Sequence, residues 1–181
     1  MYKNWWNGDG GDQGMEDSHQ TAWKHVITLL DSNDIKNRNV LDFGCNQGGF
    51  LRVLYDNVPF KKGAGIAIAI NAIATAQERV GDYPIIYKVS GTPNIFDYKF
   101  DTVISTSVLY LIEDLEEHIS LISDCLSPNG VYYASFADQS QNPSLDYMKE
   151  QIDQYGSTRM QVKTLTEVVD TFLSHGFSVN S

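Results

Sequence analysis

Apolar residues in this chain fall into two patterns that alternate from one end to the other. Short runs without polar interruption predict buried strands at 40–43, 63–70, 83–89, 100–106 and 130–136, with a sixth at 177–179. Stripes at three- and four-residue spacing predict helices at 17–30, 50–54, 71–80, 114–125, 144–155 and 164–174. Strands that alternate with helices across short turns predict an α/β domain with a parallel sheet and right-handed crossovers.

The run 40–51, VLDFGCNQGGFL, organises the chain because it joins the first buried strand to the next helix through a glycine turn. Glycine lets the backbone approach a bound molecule, and the first amides of the helix point into the turn. Asn46 stands at a position of the turn where a further glycine is expected, and asparagine tolerates left-handed backbone better than most residues. The run therefore predicts a ligand site at the carboxyl ends of the first strands.

Two glycine spacings are compatible with this turn. The G-x-G-x-x-G pattern of nicotinamide and flavin sites is met by Gly44 and Gly49 but not at Asn46. The D-x-G-x-x-x-G pattern is met fully by Asp42, Gly44 and Gly48. An acid two residues before the first glycine suits a ligand with a cationic amino group and repels a pyrophosphate. Glycines placed for packing alone are the third interpretation.

The stretch resembles the glycine-rich motif of the class I S-adenosylmethionine (SAM)-dependent methyltransferases. The resemblance continues in FDTVISTSVL at 100–109 and LSPNGVYY at 126–133, and the order of elements is similar over about residues 18–179. It implies a Rossmann-like, doubly wound, mostly parallel sheet of six strands with helices on both faces. It also implies SAM as the cofactor and a small-molecule substrate as the methyl acceptor.

The resemblance further implies which residues contact SAM. They follow the first four strands, and they are Asp42, Gly44, Cys45, Asn46, Gly48, Ala67, Ile68, Ser90, Gly91, Ser105 and Thr106. Ala67 stands where the family has an acid that accepts both ribose hydroxyls. Ser90 stands near the position where relatives often have an aspartate for the adenine amino group, and its hydroxyl is a neutral acceptor.

Methyl transfer needs no fixed catalytic residue, because the sulfonium is already a good leaving group and the protein mainly supplies alignment. The catalytic residues are therefore unknown at this point. Where a base is needed, Tyr110, His19 and His25 are the candidates. Tyr110 stands where many relatives carry a histidine. His118 falls on a helix beside two glutamates and is predicted to be solvated.

Composition narrows the function classes. The chain has 181 residues, 42% of them hydrophobic, which suits one globular domain. A formal net charge of −10 without a basic run disfavours nucleic acid and anionic membranes as partners. No apolar run approaches the ~20 residues of a membrane span. Two separated cysteines fit a reducing, cytoplasmic compartment, and no Cys/His cluster has the spacing of metal ligands.

The leading hypothesis is an enzyme that methylates a small molecule. The alternative from another class is a SAM-binding or degenerate domain without turnover and with a regulatory role, which the missing acid at Ala67 and the neutral Ser90 support. A nucleotide-dependent oxidoreductase is the third possibility, and Asp42 disfavours it.

The predicted domain organisation begins with a flexible arm, residues 1–16, rich in glycine and aromatics. The arm either closes over the glycine turn or packs elsewhere. Residues 17–181 form the SAM-binding domain, in which 137–163 is either a substrate lid or a surface hairpin. Relatives end with a seventh strand for which no residues remain here. Strand five is therefore expected to pair with strand six, to be covered by a second copy in a homo-oligomer, or to belong to a longer protein.

Overall fold

The computed structural model describes residues 1–180. Its strands are β1 (Asn39–Phe43), β2 (Lys62–Ala67), β3 (Ile85–Val89), β4 (Phe100–Thr106) and β5 (Leu126–Ser135). Its helices are α1 (Gly11–Leu29), α2 (Ser32–Ile35), α3 (Gly49–Asn57), α4 (Ile70–Glu78), α5 (Leu115–Cys125), α6 (Leu145–Tyr155) and α7 (Leu165–Ser174). None of the helices in this part of the chain has both the length and the apolar character needed to cross a membrane.

The strands lie side by side in the order β3-β2-β1-β4-β5, and every neighbouring pair is parallel. The chain runs outward from β1 through β2 to β3 and then crosses back to β4 on the other side of β1. This reversal opens a crevice at the carboxyl ends of β1 and β4, where open α/β sheets bind their ligands. The predicted α/β fold with a parallel sheet is confirmed.

Successive residues of β1 are buried against helices on opposite faces of the sheet. Val40 belongs to a cluster that includes Trp23 of α1 and Phe50 of α3. The next residue, Leu41, belongs to a second cluster that includes Ile122 of α5. Both β1 residues are fully buried, as expected for a central parallel strand covered on both faces.

The predicted sixth strand is wrong, because residues 177–180 form no strand. Gly176, two residues after the end of α7, has a φ of 81° and turns the chain back. The Phe177 amide then donates to the Phe172 carbonyl at 3.2 Å, and the two rings pack edge to face at 5.5 Å. The Phe177 amide, which the prediction places in a strand, is therefore used to terminate α7 instead. Within the described residues the sheet therefore has five strands, and β5 pairs with β4 alone.

The first helix begins at Gly11, ahead of the predicted residue 17. The Asp12 carboxylate, in its first turn, accepts the backbone amides of Trp5 and Trp6 at 3.3 and 2.9 Å. This contact anchors the amino-terminal segment, residues 1–10, to α1. Because the anchor depends on a carboxylate placed in a glycine-rich run, helical spacing of apolar residues gives no sign of it.

Two other boundaries also differ from the prediction. The helix α2 forms inside the predicted loop before β1, and Asp31 caps it by accepting the Asn33 amide at 2.8 Å. The strand β5 begins at Leu126 rather than at residue 130, and its register beside β4 is irregular between Phe100 and Thr102. Both differences lie away from the carboxyl edge of the sheet.

His118 is buried, with an exposed fraction of 4%, so the predicted solvated position is wrong. Its Nε2 lies 2.9 Å from the Tyr132 hydroxyl, and its ring meets the Phe43 ring edge on at 4.7 Å. Burial lowers the pKa of His118 to about 4, so the ring is neutral at pH 7. The two glutamates before it share its helix but not its face.

Candidate functional site

A cavity of about 300 Å³ lies at the carboxyl edge of the sheet, where β1 to β4 end. Residues that follow each of these strands line it, together with residues of α1 and the amino-terminal segment. A volume of this order is within the range of small-molecule sites. The edge that the sequence assigns to a ligand therefore contains a space that can hold one.

Nine of the eleven predicted cofactor-binding residues line this cavity: Asp42, Gly44, Cys45, Asn46, Ala67, Ile68, Ser90, Gly91 and Thr106. Gly48 and Ser105 do not. Gly48 lies against Tyr87, and Ser105 shares a face of β4 with Val103, which packs on the α5 side. That any of the eleven residues contacts SAM stays a prediction.

The glycine turn has a backbone that requires its glycines. Gly44 has a φ of 84°, and a Cβ there would come within 2.5 Å of Val108 Cγ2. Gly48 has a φ of 74°, and a Cβ there would lie 2.4 Å from the Tyr87 ring. The Tyr87 hydroxyl donates to the Gly48 carbonyl at 2.9 Å. Asn46 takes a φ of 45°, the left-handed conformation expected of it.

Two acceptor oxygens in this turn have no donor among the described residues. Asp42 is 1% exposed, and its Oδ2 makes no hydrogen bond. Asn46 Oδ1 is likewise buried without a partner. Burial raises the pKa of Asp42 to about 7. Both residues line the cavity, so a ligand with a cationic, hydrogen-rich group would satisfy both oxygens.

Glu16 of α1 occupies the amino terminus of α3. Its carboxylate accepts the Gly49 amide at 3.2 Å and pairs with Arg52 at 3.2 Å and Arg79 at 3.6 Å. A Cβ on Gly49 would lie 2.6 Å from the Glu16 carboxyl carbon, so this glycine makes room for the carboxylate. A helix amino terminus ordinarily attracts phosphate. Here the protein supplies its own anion, which leaves no place for a pyrophosphate.

The opposite end of the cavity is mostly apolar. Ala67 ends β2 without a polar side chain, and Ile68 follows it along the lining. The Ser90 hydroxyl accepts the Thr92 amide at 3.0 Å and donates to the Thr92 carbonyl at 2.7 Å. One acceptor lone pair of Ser90 remains for a ligand.

The amino-terminal segment lies across the cavity. At one end, the Tyr2 amide donates to the Ile68 carbonyl at 2.9 Å. Midway along the segment, the Trp5 indole donates to Thr158 Oγ1 at 3.0 Å, and the Ser157 amide donates to the Trp5 carbonyl at 2.8 Å. Trp5 and Thr158 both line the cavity. The segment therefore connects the end of β2 to the loop after α6.

Only two of the three predicted base candidates lie at the cavity. His19 and Tyr110 line the cavity, whereas His25 is exposed on α1 and does not. Burial raises the pKa of Tyr110, which keeps its hydroxyl protonated at neutral pH. Burial also raises the pKa of the Cys45 thiol, so this cysteine is not a thiolate.

The cavity is also lined by residues that the sequence does not indicate: Met15, Glu16, Trp23, Phe43, Phe50, Ile66, Ala69, Ser107, Val108, Leu111, Ile112 and Thr158. Most are apolar and carry the periodic signal of core residues, which does not distinguish a cavity wall from a core. Ser107 has a φ of 58°, a strained conformation for a residue other than glycine. No spacing in the sequence indicates that strain.

Comparisons with known proteins bear on what this cavity holds. A family model described as "Methyltransferase domain" matches residues 15–181. No curated protein matches the chain. Its fold is similar to that of a putative methyltransferase from Haloferax volcanii, solved in complex with the Trm112 methyltransferase activator. The identity is 21% and the TM-score 0.78, over 96% of this chain and 75% of that chain.

Two further solved structures are similar. Human N-acetylserotonin methyltransferase in complex with SAM has 19% identity and a TM-score of 0.72, over 92% of this chain and 49% of that one. An S-adenosylmethionine-dependent methyltransferase from Mesorhizobium loti has 16% identity and a TM-score of 0.70, over 96% of this chain and 84% of that one. Identities at this level establish a shared fold.

Proposed function

The chain belongs to the methyltransferase domain family, with SAM as its cofactor, and from this premise we propose that it methylates a small, uncharged acceptor bound beneath the amino-terminal segment. SAM, when bound, supplies a methyl group activated by a sulfonium. The residues of this chain bind and align the two reactants. The observation that carries the proposal is the unpartnered Asp42 carboxylate in the cavity, beside the unpartnered Asn46 oxygen.

Asp42 and Asn46 fit the amino-acid end of SAM. An ammonium group offers three donors and a positive charge, which matches two buried acceptors of which one is a carboxylate. The ammonium would also lower the pKa of Asp42, which burial alone raises to about 7. A dinucleotide does not fit the same turn, because Glu16 already holds the first amide of α3.

Ala67 supports the expectation of a modest affinity. Alanine offers no acceptor to the ribose hydroxyls, whereas a carboxylate accepting both would contribute ~1.5–3 kcal/mol, or about 10- to 100-fold in affinity. The Ala67→Asp variant should recover part of this. If the variant binds SAM no better than wild type, another group of the protein already holds the ribose.

The charge of the cavity lining indicates the class of methyl acceptor. Among the described residues, the cavity lining includes no lysine or arginine, and its acidic members Asp42 and Glu16 lie at the glycine turn. An anionic acceptor would find no countercharge there. Thr158 belongs to the segment 137–163, so we propose that this segment acts as the substrate lid.

The test is isothermal calorimetry of the full chain with SAM, S-adenosylhomocysteine and NAD. We expect the first two to bind and NAD not to bind. The Asp42→Asn variant should weaken both, and an exposed substitution such as His25→Gln should leave them unchanged. Binding of NAD without any response to SAM would overturn the proposal.

We also propose that the free edge of β5 pairs with a second copy of the chain. Within the described residues β5 has β4 as its single neighbour, which leaves one row of its backbone groups outside the ladder. Light scattering should then show self-association that grows with concentration. A constant monomeric mass at high concentration would contradict this.

A further inference from the structure

We propose that His19 is the general base of the reaction and that the methyl acceptor is a small aromatic molecule with a hydroxyl group. This inference rests on the proposed function, since it assigns a role within the same cavity. It depends on the tautomer of His19, on the other ionisable groups of the cavity and on the nature of the walls.

The tautomer follows from one hydrogen bond. His19 Nδ1 lies 2.7 Å from the Met15 carbonyl, and a carbonyl oxygen can only accept. Ser18 Oγ, 3.1 Å from the same nitrogen, already donates to that carbonyl at 2.8 Å. Nδ1 therefore carries the proton of the neutral ring. Nε2 carries the lone pair, and it makes no hydrogen bond to residues 1–180.

The remaining ionisable groups of the cavity are committed elsewhere. Glu16 is paired with two arginines, and Asp42 is assigned to the ammonium group of SAM. Cys45 and Tyr110 keep their protons at neutral pH because burial raises the pKa of each. Of the titratable side chains that line the cavity in the described structure, His19 alone is free to accept a proton.

A base of this kind indicates a hydroxyl acceptor. A neutral amine attacks through its lone pair and loses a proton afterwards, whereas a hydroxyl is a poor nucleophile until its proton is being removed. The hydroxyl proton moves to Nε2 while the acceptor oxygen forms its bond to the methyl carbon. The carbon–sulfur bond breaks with its electron pair left on sulfur, and the imidazolium later gives its proton to solvent.

The walls near His19 indicate an aromatic acceptor. Trp23, one turn further along α1, has its ring centroid 6.4 Å from that of His19, and its edge packs on Phe50 at 6.2 Å. Trp5 and Met15 also contribute to the lining. Flat aromatic and thioether surfaces pack well against a planar ring. The described lining contains no lysine or arginine, which disfavours a carboxylated or phosphorylated ring.

The test uses the full chain, with His19→Gln as the variant and His25→Gln as the control on the same helix. Nitrogen-15 NMR of labelled histidine should show His19 protonated at Nδ1 in the wild type. The probe acceptor is 4-nitrophenol, whose visible absorbance reports its ionisation, added to protein saturated with S-adenosylhomocysteine. We expect bound nitrophenol to shift toward phenolate in the wild type and in His25→Gln.

In His19→Gln the phenolate shift should be lost, and methyl transfer from SAM to 4-nitrophenol should slow by about 100-fold. SAM affinity should stay within about twofold in all three proteins. A proton on Nε2, an unchanged phenolate shift in His19→Gln or a failure of nitrophenol to bind would overturn this inference. Failure of the wild type to bind SAM would overturn the proposed function itself.

Discussion

Two buried ionisable side chains lie on opposite faces of the sheet at the central strand β1, and they differ in whether the protein supplies a hydrogen-bond partner. Asp42 is 1% exposed and faces the cavity, and its Oδ2 has no partner in the described structure. His118 is 4% exposed on the α5 side, and it is bonded to the Tyr132 hydroxyl at 2.9 Å. Burial favours the neutral form of both groups.

The difference shows how a buried polar group can be assigned to structure or to a site. His118 is satisfied within the fold, so its polar atom adds to the packing of α5 on the sheet. Asp42 is left with an acceptor that only a ligand or solvent can use. At pH 7 its carboxyl group is divided between protonated and charged forms, since burial raises its pKa to about 7. Four measurements test this contrast.

The largest effect should appear in the free energy of unfolding. The folded pKa of Asp42, about 7, exceeds its ordinary value of 3.8, so the folded state retains a proton that the unfolded state releases between these values. The contribution of the protonated Asp42 to the free energy of unfolding is therefore complete below pH 4 and is lost as pH rises through 7. Between pH 5 and pH 8 the loss should be about 3 kcal/mol relative to Asp42→Asn. Urea unfolding of both proteins measures it, and parallel pH profiles would contradict it.

The next effect concerns ligand affinity. Asp42→Asn should lower the affinity for SAM by about 30-fold, which is about 2 kcal/mol, because a charged partner of the ammonium is lost. His118→Gln, equally buried but on the other face, should leave the affinity within about twofold. Calorimetry at pH 8 separates the two variants. Equal losses in both would show that the two regions are not independent.

His118 should produce the opposite pH dependence, with a slightly smaller size. Its folded pKa, about 4, lies below its ordinary value of 6.5, so the unfolded state gains a proton that the folded state refuses. Stability is full above pH 6.5 and falls as the solution becomes more acid, by about 2 kcal/mol at pH 5. The difference in unfolding free energy between wild type and His118→Gln should follow this curve. A difference independent of pH would mean that the ring is hydrated.

The smallest effect belongs to the partner of His118. Tyr132→Phe removes the hydroxyl that bonds Nε2 and should cost about 1 kcal/mol of stability. The tryptophan-containing cavity is on the other face, so SAM binding should not change. Thermal unfolding with and without SAM tests both statements. A loss of SAM affinity without a loss of stability would mean that Tyr132 serves the ligand site and not the packing of the fold.

The local part of the cavity lining could be predicted from the sequence, because turn chemistry is set by neighbouring residues. Asp42, Gly44 and Asn46 belong to the single run 40–51, and all three line the cavity. Glu16 reaches the same turn from 33 residues away, and Thr158 meets Trp5 across 153 residues. Such contacts are decided by the packing of helices and segments, which spacing along the chain does not record.

The errors have physical causes of the same kind. His118 follows two glutamates in the chain, but a helix turns consecutive residues onto different faces, so its neighbours in sequence say little about its burial. Phe177 lies in an apolar run typical of a strand, yet its backbone amide bonds to the Phe172 carbonyl at the end of α7. In both places tertiary contacts decided between two local structures that the residues allow.

The amino-terminal segment is hydrogen-bonded at two places, through Tyr2 to the residue after β2 and through Trp5 to the loop after α6. Opening of either attachment would uncover a molecule bound beneath the segment. If the cofactor and the acceptor bind under this segment as proposed, the departures of both products depend on one motion. In that case the opening rate of the segment, and not methyl transfer alone, would limit the turnover number.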